Sequence, residues 1–406
     1  MKTYEETTQW LFQQFPSYQN IGANAYKPSL ANILKLCDVF GNPQEHLKFI
    51  HVAGTNGKGS TCSMLASILN ESGYKTGLFT SPHIKEFTER IRINGIKISE
   101  KNVIEKTNQI KDAQLDFEPS FFEITFLMAL IHFKEQNCDI CVIETGLGGR
   151  LDATNVITPI VSVITNISIE HTQFLGNTIT SIATEKAGII KTSVPVIIGE
   201  RNSESTPIFN SVALKNNAPI LFAEDFLREI PNDFPLLGEY QIKNFNLVKL
   251  VLSTLQDQFP LKNDSISNGL KNLHSNTGFM GRMQIVSEAP LTIFDVSHNE
   301  AGIKETLVSI LQLNKGKLFI VYGTSSDKDI SQIFELFSEN ARYFFTQFSN
   351  ERSATVEQLN EFASRKPLDA TFFTNPHEAL KSAQNIANKE DTILVFGSFF
   401  LISDFF

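Results

Sequence analysis

The stretch that most restricts how this chain can fold is Phe49-Ile50-His51-Val52-Ala53-Gly54-Thr55-Asn56-Gly57-Lys58-Gly59-Ser60-Thr61, continued by Cys62-Ser63-Met64-Leu65-Ala66-Ser67-Ile68-Leu69. A short apolar run breaks into glycine and resumes as a longer one, which predicts strand, tight loop and helix in that order. The glycines let the backbone curl until several N–H groups point inward, the helix start adds the positive end of its dipole, and Lys58 adds a full charge. Such a cup holds phosphate groups. Ser60 or Thr61 would then offer a hydroxyl to a phosphate-bound Mg²⁺. The spacing is G-x-x-G-K-G-[ST] instead of the commoner G-x-x-x-x-G-K-[ST], because Val52 stands at the first glycine's place and Gly59 directly follows the lysine. A glycine-rich turn with a surface lysine would not need a strand and a helix on its two sides, so nucleotide binding is the expectation.

With 406 residues the chain has room for two domains, each with its own core. A net charge of −9 argues against a nucleic-acid or anionic-membrane surface, where Lys and Arg would cluster. Small anions must therefore be drawn by local sites. Met1-Lys2-Thr3-Tyr4-Glu5-Glu6 lacks the basic start and apolar core of a signal peptide, and no apolar run reaches membrane-spanning length. Four scattered cysteines, Cys37, Cys62, Cys138 and Cys141, do not make a disulfide scaffold, and a reducing cytoplasm is expected. Cys138-x-x-Cys141 runs into a strand, where residues three apart face opposite sides, so neither zinc nor redox chemistry is expected there.

Trp10, Leu11 and Phe15, and then Leu30, Ile33, Leu34 and Leu36, have helical spacing. After the phosphate loop, residues 75–79 read as a strand that ends in Thr80-Ser81-Pro82-His83, and ligands in such folds gather at strand C-termini. Residues 91–98 alternate about Asn94-Gly95 and predict a hairpin. Two helical patterns follow, the second around Phe121-Phe122-Glu123-Ile124-Thr125-Phe126-Leu127. A buried strand over 139–144 then ends in Glu144, ahead of Thr145-Gly146-Leu147-Gly148-Gly149-Arg150-Leu151-Asp152-Ala153-Thr154-Asn155, and a carboxylate in that position suits a metal. The strand over 160–165 delivers Asn166, Glu170, His171 and Thr172. A helix over 180–187 holds Glu185-Lys186-Ala187-Gly188-Ile189, where Lys186 taken alone reads as a complement to the helix dipole. A helix opens near Gly238, and Ser275-Asn276-Thr277-Gly278-Phe279-Met280-Gly281-Arg282 is a glycine-punctuated linker. Beyond it strands and helices alternate from Leu291 to Phe396, the rhythm of a doubly wound, mostly parallel sheet whose first two strands deliver Asp295-Val296-Ser297-His298-Asn299-Glu300 and Gly323-Thr324-Ser325-Ser326-Asp327-Lys328-Asp329.

Taken together, these stretches resemble the folylpolyglutamate synthase/dihydrofolate synthase family of the Mur ligase superfamily over nearly the whole chain. The likeness rests on Gly54-Thr55-Asn56-Gly57-Lys58-Gly59-Ser60, Thr80-Ser81-Pro82-His83, Glu89-Arg90-Ile91, Phe122-Glu123, Glu144 with the 146–155 loop, His171-Thr172 with Leu175-Gly176, Glu185-Lys186-Ala187-Gly188-Ile189, Gln241 with Asn244, Gly281-Arg282, Asp295 with His298-Asn299, and Asp327-Lys328-Asp329. It implies an α/β fold: an N-terminal P-loop ATPase-like domain with a parallel-rich sheet over residues 1–279, and a smaller C-terminal doubly wound, Rossmann-like glutamate-ligase domain over 280–406.

The activity the likeness implies is ATP-dependent amide ligation, joining L-glutamate to dihydropteroate, to a folate or to both. The carboxylate would attack the γ-phosphate, and the glutamate amine would displace the resulting acyl phosphate. By the same resemblance Lys58 and two Mg²⁺ ions offset the charge on the transferred phosphoryl group, with Ser81 and Glu144 at the first ion and Glu144, His171 and a carbamylated Lys186 at the second. That implication displaces the local reading of Lys186. ATP contacts fall to residues 54–61 and to Asn244, Arg282 and Asp295, while His298 would meet the incoming glutamate. Phe121, Phe122, Glu123, Ile124, Leu151, Asp152 and Ala153, with Arg90, match positions around the pterin-bearing substrate; Phe122 would stack on the ring and Asp152 accept its N–H groups.

The chain departs from the family at Val296 and Ser297, where a Gly-Ala pair is usual, and at Tyr240, where a His is usual; it ends at Ser403-Asp404-Phe405-Phe406. A peptidoglycan-type Mur ligase would carry an extra N-terminal domain, and a non-catalytic nucleotide-binding regulator would have broken magnesium ligands. Only small-molecule partners and a monomer are expected.

Overall fold

The computed structural model describes residues 1–15, 28–226, 230–231, 234–328 and 330–406, so Asp329 of the Asp327-Lys328 motif lies outside the described residues. The chain divides into two compact units, one of Met1–Pro235 with Gln241–Phe279 and one of Leu236–Tyr240 with Met280–Phe406.

The first unit is built on an eight-stranded sheet: β1 (Phe49–Ala53), β2 (Thr76–Phe79), β3 (Ile91–Ile93), β4 (Ile96–Lys97), β5 (Ile140–Glu144), β6 (Val161–Ile164), β7 (Val196–Ile198) and β8 (Ile220–Phe222), in the spatial order β4-β3-β2-β5-β1-β6-β7-β8. The six strands from β2 to β8 in that order run parallel, and β3 and β4 form an antiparallel hairpin at the edge beside β2. Strands covered on both faces read as continuous apolar runs, which is why β1 and β5 are buried along their whole length. In register, Val52 pairs with Glu144 and Ala53 with Ile164, so residues 54–61, 144–155 and 165–171 leave the sheet at one edge.

The helix Phe121–Glu135 covers one face of this sheet. It starts at a capping box, with Ser120 Oγ accepting from the Glu123 amide and Glu123 Oε2 accepting from the Ser120 amide at 2.6 Å. Phe126, Leu127, Met128, Ala129 and Leu130 are all fully buried, so no polar stripe interrupts the helix until its end. Cys138 lies just before β5, and both thiols of the Cys138/Cys141 pair are free and buried.

The second unit has a six-stranded sheet of β9 (Gln284–Glu288), β10 (Leu291–Phe294), β11 (Leu318–Tyr322), β12 (Ala341–Thr346), β13 (Asp369–Phe373) and β14 (Thr392–Phe396), ordered β13-β12-β11-β14-β10-β9. All neighbours are parallel except β9, which folds back antiparallel on β10. Much of the phenylalanine sits here: the Tyr322 ring has Phe337 and Phe396 at 5.1 Å, Phe345 at 6.1 Å and Phe334 at 6.3 Å between centroids. Edge-to-face contacts of this kind add to the burial of large rings.

Candidate active site

The loop between β1 and the helix Lys58–Glu71 is held from below by the exit of β6. Thr165 Oγ1 donates to the Asn56 carbonyl at 2.6 Å, the Thr55 amide donates to the Asn166 carbonyl at 2.9 Å, and the Asn56 amide donates to Asn166 Oδ1 at 3.0 Å. Gly54 has φ +146°, and a Cβ there would stand 1.8 Å from Thr165 Oγ1, so only glycine fits. The helix has Gly57 at its N-cap and no side chain capping its first amides, which leaves the positive dipole end directed at the loop.

Two amines converge on one carbonyl. Lys58 Nζ donates to the Gly54 oxygen at 3.0 Å, and to that of Thr55 at 3.0 Å, while Lys186 Nζ donates to the same Gly54 oxygen at 2.7 Å from 132 residues away in sequence. Lys186 is 4% exposed, and burial together with the Lys58 charge pulls its pKa down to about 7. Its amine thus turns inward to the loop, not toward the end of its own helix Ile179–Ala187.

Glu144 ends β5 almost completely buried, and its Oε2 accepts the Ser81 amide at 3.1 Å. His171 has φ 52° at the N-cap of the short helix Thr172–Leu175, partly exposed, with its Nε2 4.0 Å from Glu170 Oε2. The Thr61 and Thr145 hydroxyls are buried close to these groups in sequence and have no partner among the described residues. From the helix Glu239–Thr254, Gln241 Nε2 donates to Ser60 Oγ at 3.2 Å and Asn244 Nδ2 donates to Gln241 Oε1 at 3.1 Å. Asn244 lies directly on the loop, since a Cβ at Gly57 would meet its Oδ1 at 2.4 Å.

Beside the 146–155 loop the Phe122 ring is half-buried and touches Gly146, where a Cβ would come within 2.7 Å of it. Phe121 is buried, stacks on Phe12 at 4.9 Å, and carries the Arg90 guanidinium 5.4 Å from its ring centre. Arg90 Nε donates to His83 Nδ1 at 2.7 Å; burial lowers the Arg90 pKa to about 10, and burial and the Arg90 charge hold the His83 ring well below its usual value. Asp152 is buried, and burial raises its pKa although it accepts the Leu147 amide at 2.7 Å and the Thr154 amide at 3.0 Å. Leu151 is half-buried, Ala153 is buried, and Ile124 lies wholly within the apolar core.

In the second unit Asp295 leaves β10 buried and accepts from the Ser297 amide at 2.7 Å, the Met283 amide at 2.8 Å and the Thr306 hydroxyl at 3.2 Å. His298 Nδ1 donates to the Val296 carbonyl at 2.9 Å, and its own carbonyl accepts from Lys328 Nζ at 2.7 Å. The Phe399 ring packs against both His298, at 5.5 Å, and the Arg282 guanidinium, at 5.2 Å. Val296 is part of the core, and the Ser297 hydroxyl is buried without a partner among the described residues.

Sequence reading named the loop, Glu144, Lys186, Asn244 and Phe122 as site residues; in the fold Lys186 and Asn244 lie at the loop, Glu144 at the Ser81 amide and Phe122 at Gly146. It passed over Thr165, which fits under the loop, His51, hidden in an apolar run, and Phe12, on a helix assigned only to packing.

Comparison with known proteins adds to this geometry. Residues 52–225 match the Mur ligase middle domain and residues 281–399 the Mur ligase glutamate ligase domain. The dihydrofolate synthase/folylpolyglutamate synthase of Buchnera aphidicola subsp. Schizaphis graminum is 35% identical over 375 residues, spanning 88% of this chain and 87% of its own. Escherichia coli FolC, solved in complex with DHPP and ADP, superposes with a TM-score of 0.87 at 30% identity, covering 99% of this chain and 96% of its own. The bifunctional folylpolyglutamate synthase/dihydrofolate synthase of Yersinia pestis, solved with AMPPNP and Mn ion, has a TM-score of 0.85 at 28% identity over 99% of this chain and 97% of its own.

Proposed function

The chain belongs to the folylpolyglutamate synthase/dihydrofolate synthase family of the Mur ligase superfamily, and we propose that its loop of residues 54–60 holds the triphosphate of ATP while a pterin-bearing carboxylate is joined to the amine of L-glutamate. It is an ATP-dependent acid–amino-acid ligase. The observation that carries the assignment of the loop is the meeting of Lys58 and Lys186 at one Gly54 carbonyl, beside a helix start that no side chain caps. Like charges drawn that close, with a dipole end added, are relieved by an anion.

A carboxylate is a poor acylating agent. It attacks the γ-phosphorus of ATP, a P–O bond forms as the bond to the β-phosphate oxygen breaks, and ADP leaves. The glutamate amine then attacks the acyl carbon, an N–C bond forms, phosphate departs and the amine gives up a proton. Lys58 and the loop amides offset charge on the transferred group, and Asn244 and Gln241 keep the loop in place against them. Phe122 offers a ring face for stacking on the pterin, beside Gly146 and Asp152. Arg90, clamped by His83 and Phe121, would supply positive charge to the acid, and the family likeness assigns Arg282 and Asp295 to the nucleotide and His298 to the glutamate.

The residues present suit a divalent ion that arrives with the nucleotide: one buried carboxylate, Glu144, and nearby hydroxyls, without a cluster of three His, Cys, Asp or Glu among the described residues. Mg²⁺ is commonly held by one or two carboxylates and substrate phosphates. Ser81 and Glu144 would hold a first ion, and Glu144, His171 and a carbamylated Lys186 a second; when bound, the ions neutralise phosphate charge and orient the γ-phosphoryl group. The carbamate is inferred from the family likeness, and the burial of the Lys186 amine supports it. A location in the cytoplasm accords with four free, buried thiols, and a monomer is inferred from the family likeness.

The test is a product assay by mass with dihydropteroate and tetrahydrofolate offered separately. ADP should form only with glutamate and a pterin acid both present, together with a product heavier by one glutamyl residue. Equal ADP release without either would make the protein a plain ATPase.

A further inference from the structure

The middle of β1 holds a histidine where a buried parallel strand calls for an apolar residue. His51 is fully buried, as are Phe49, Ile50, Val52 and Ala53 around it. Its Nε2 lies 2.8 Å from Thr154 Oγ1, and that hydroxyl also bonds to Asp152 Oδ1. The second Asp152 oxygen, Oδ2, accepts the Leu147 amide at 2.7 Å. A hydroxyl has one proton to give. An ionised carboxylate can only accept, so the Thr154 proton goes to Asp152, and Thr154 Oγ1 in turn accepts from His51. His51 therefore carries its hydrogen on Nε2. Nδ1 is left with a lone pair, and it is buried with no partner among the described residues. Burial opposes a second ring proton, and so does the charge of Lys191, whose ammonium donates to the Asn155 carbonyl at 2.8 Å.

The chain of bonds thus runs from the core of the sheet, through Thr154 and Asp152, to Leu147 and its neighbour Gly146, the residue pressed against the Phe122 ring. We infer that His51 is a positioning residue for the pterin-acid site: by donating to Thr154 it holds the Asp152 carboxylate, and with it the Gly146-Leu147 wall, in the shape that admits a flat ring beside Phe122. This rests on the reading of Phe122 and Asp152 as substrate-lining residues. Without the donor, Thr154 can turn its hydroxyl away, and Asp152 Oδ1 keeps only the Thr154 amide. The nucleotide loop has its own brace, from Thr165 and Asn166, and does not depend on this chain.

The experiment compares His51→Leu, His51→Gln and Thr154→Val with the wild type, varying ATP, glutamate and the pterin acid in turn. His51→Leu and Thr154→Val should raise KM for the pterin acid about tenfold, with KM for ATP changed by less than about twofold, the ratio expected for one lost buried hydrogen bond. His51→Gln, whose side-chain amide donates from a similar reach, should recover most of that loss. In substrate-free protein the Leu147 amide should exchange faster in the first two variants and not in the third. Parallel rises for ATP and the pterin acid, or a His51→Gln variant no better than His51→Leu, would overturn the inference. Should His51→Leu not fold, Thr154→Val cuts the same chain without altering β1. The KM ratio is taken with whichever pterin acid the wild type turns over; a wild type that accepts none defeats the reading of the site, while the exchange comparison still decides for or against His51.

Discussion

Gly54 has no side chain, yet three parts of the molecule depend on it: its carbonyl receives Lys58 and Lys186, and its bare Cα lets Thr165 close under the loop. An added methyl would overlap Thr165 Oγ1 at 1.8 Å, far inside any real contact, and φ +146° disfavours any L side chain besides. Either the loop or the exit of β6 must move, and both carry the phosphate cup. Gly54→Ala should therefore weaken binding of a non-hydrolysable ATP analogue by at least roughly tenfold in calorimetry, with about 1–3 kcal/mol lost in stability. Adding Thr165→Ala removes the overlapping hydroxyl and should restore part of the affinity; a double variant as weak as the single one would show that the torsion alone, and not the clash, is responsible. Residues 54–61 were readable because all their chemistry lies within a few positions of each other. Lys186 and Gln241 were not readable from their own surroundings, since their partners lie 132 and 181 residues away and only the folded sheet edge brings them together.

At the scale of elements, the helix Phe121–Glu135 pits two effects against each other. A histidine in the last turn, here His132, is ordinarily favoured by the helix dipole, by about 0.3–1 kcal/mol. Burial wins: with Lys106 and Lys75 adding to it against the pull of Glu135, the His132 pKa falls to about 4. Because the folded form resists a proton that the unfolded chain takes up near pH 6.5, this side chain contributes stability above that pH and loses it as pH falls toward 4. His132→Leu should flatten the fall of the thermal midpoint between pH 6.5 and 4, by an amount on the order of 2–3 kcal/mol over the window, and identical slopes for the two proteins would remove His132 from the account. The elements themselves were legible to differing degrees for a similar reason. β1 and β5 announce themselves as unbroken apolar runs because both faces are covered. β9 does not: Ile285 is 47% and Val286 43% exposed on an edge strand, so its pattern is mixed, and the reading began the second sheet one strand late, at Leu291.

For the molecule as a whole, a sparse donor set ties the metal to the nucleotide. Glu144 is committed on one oxygen to the Ser81 amide, and among the described residues no three His, Cys, Asp or Glu side chains gather as a ready-made site. Such a protein has little to hold Mg²⁺ until phosphate oxygens complete the shell. Mg²⁺ alone should then leave the melting temperature unchanged, whereas Mg²⁺ with ATP at about 100 times its Kd should stabilise by about 2.7 kcal/mol, visible as a rise of several degrees. EDTA should cancel that rise and cut turnover by at least roughly a hundredfold. The proposed carbamate on Lys186 belongs to the same linkage, because a neutral amine brings no oxygen to a hard cation while a carbamate brings two. Stripping CO₂ and bicarbonate from the buffer should lower turnover, and restoring them should recover it; ¹³C-bicarbonate should label a carbamate carbon in the wild type and not in Lys186→Ala. Full turnover in CO₂-free buffer would leave the amine itself as the working group, with its hydrogen bond to Gly54 as its role.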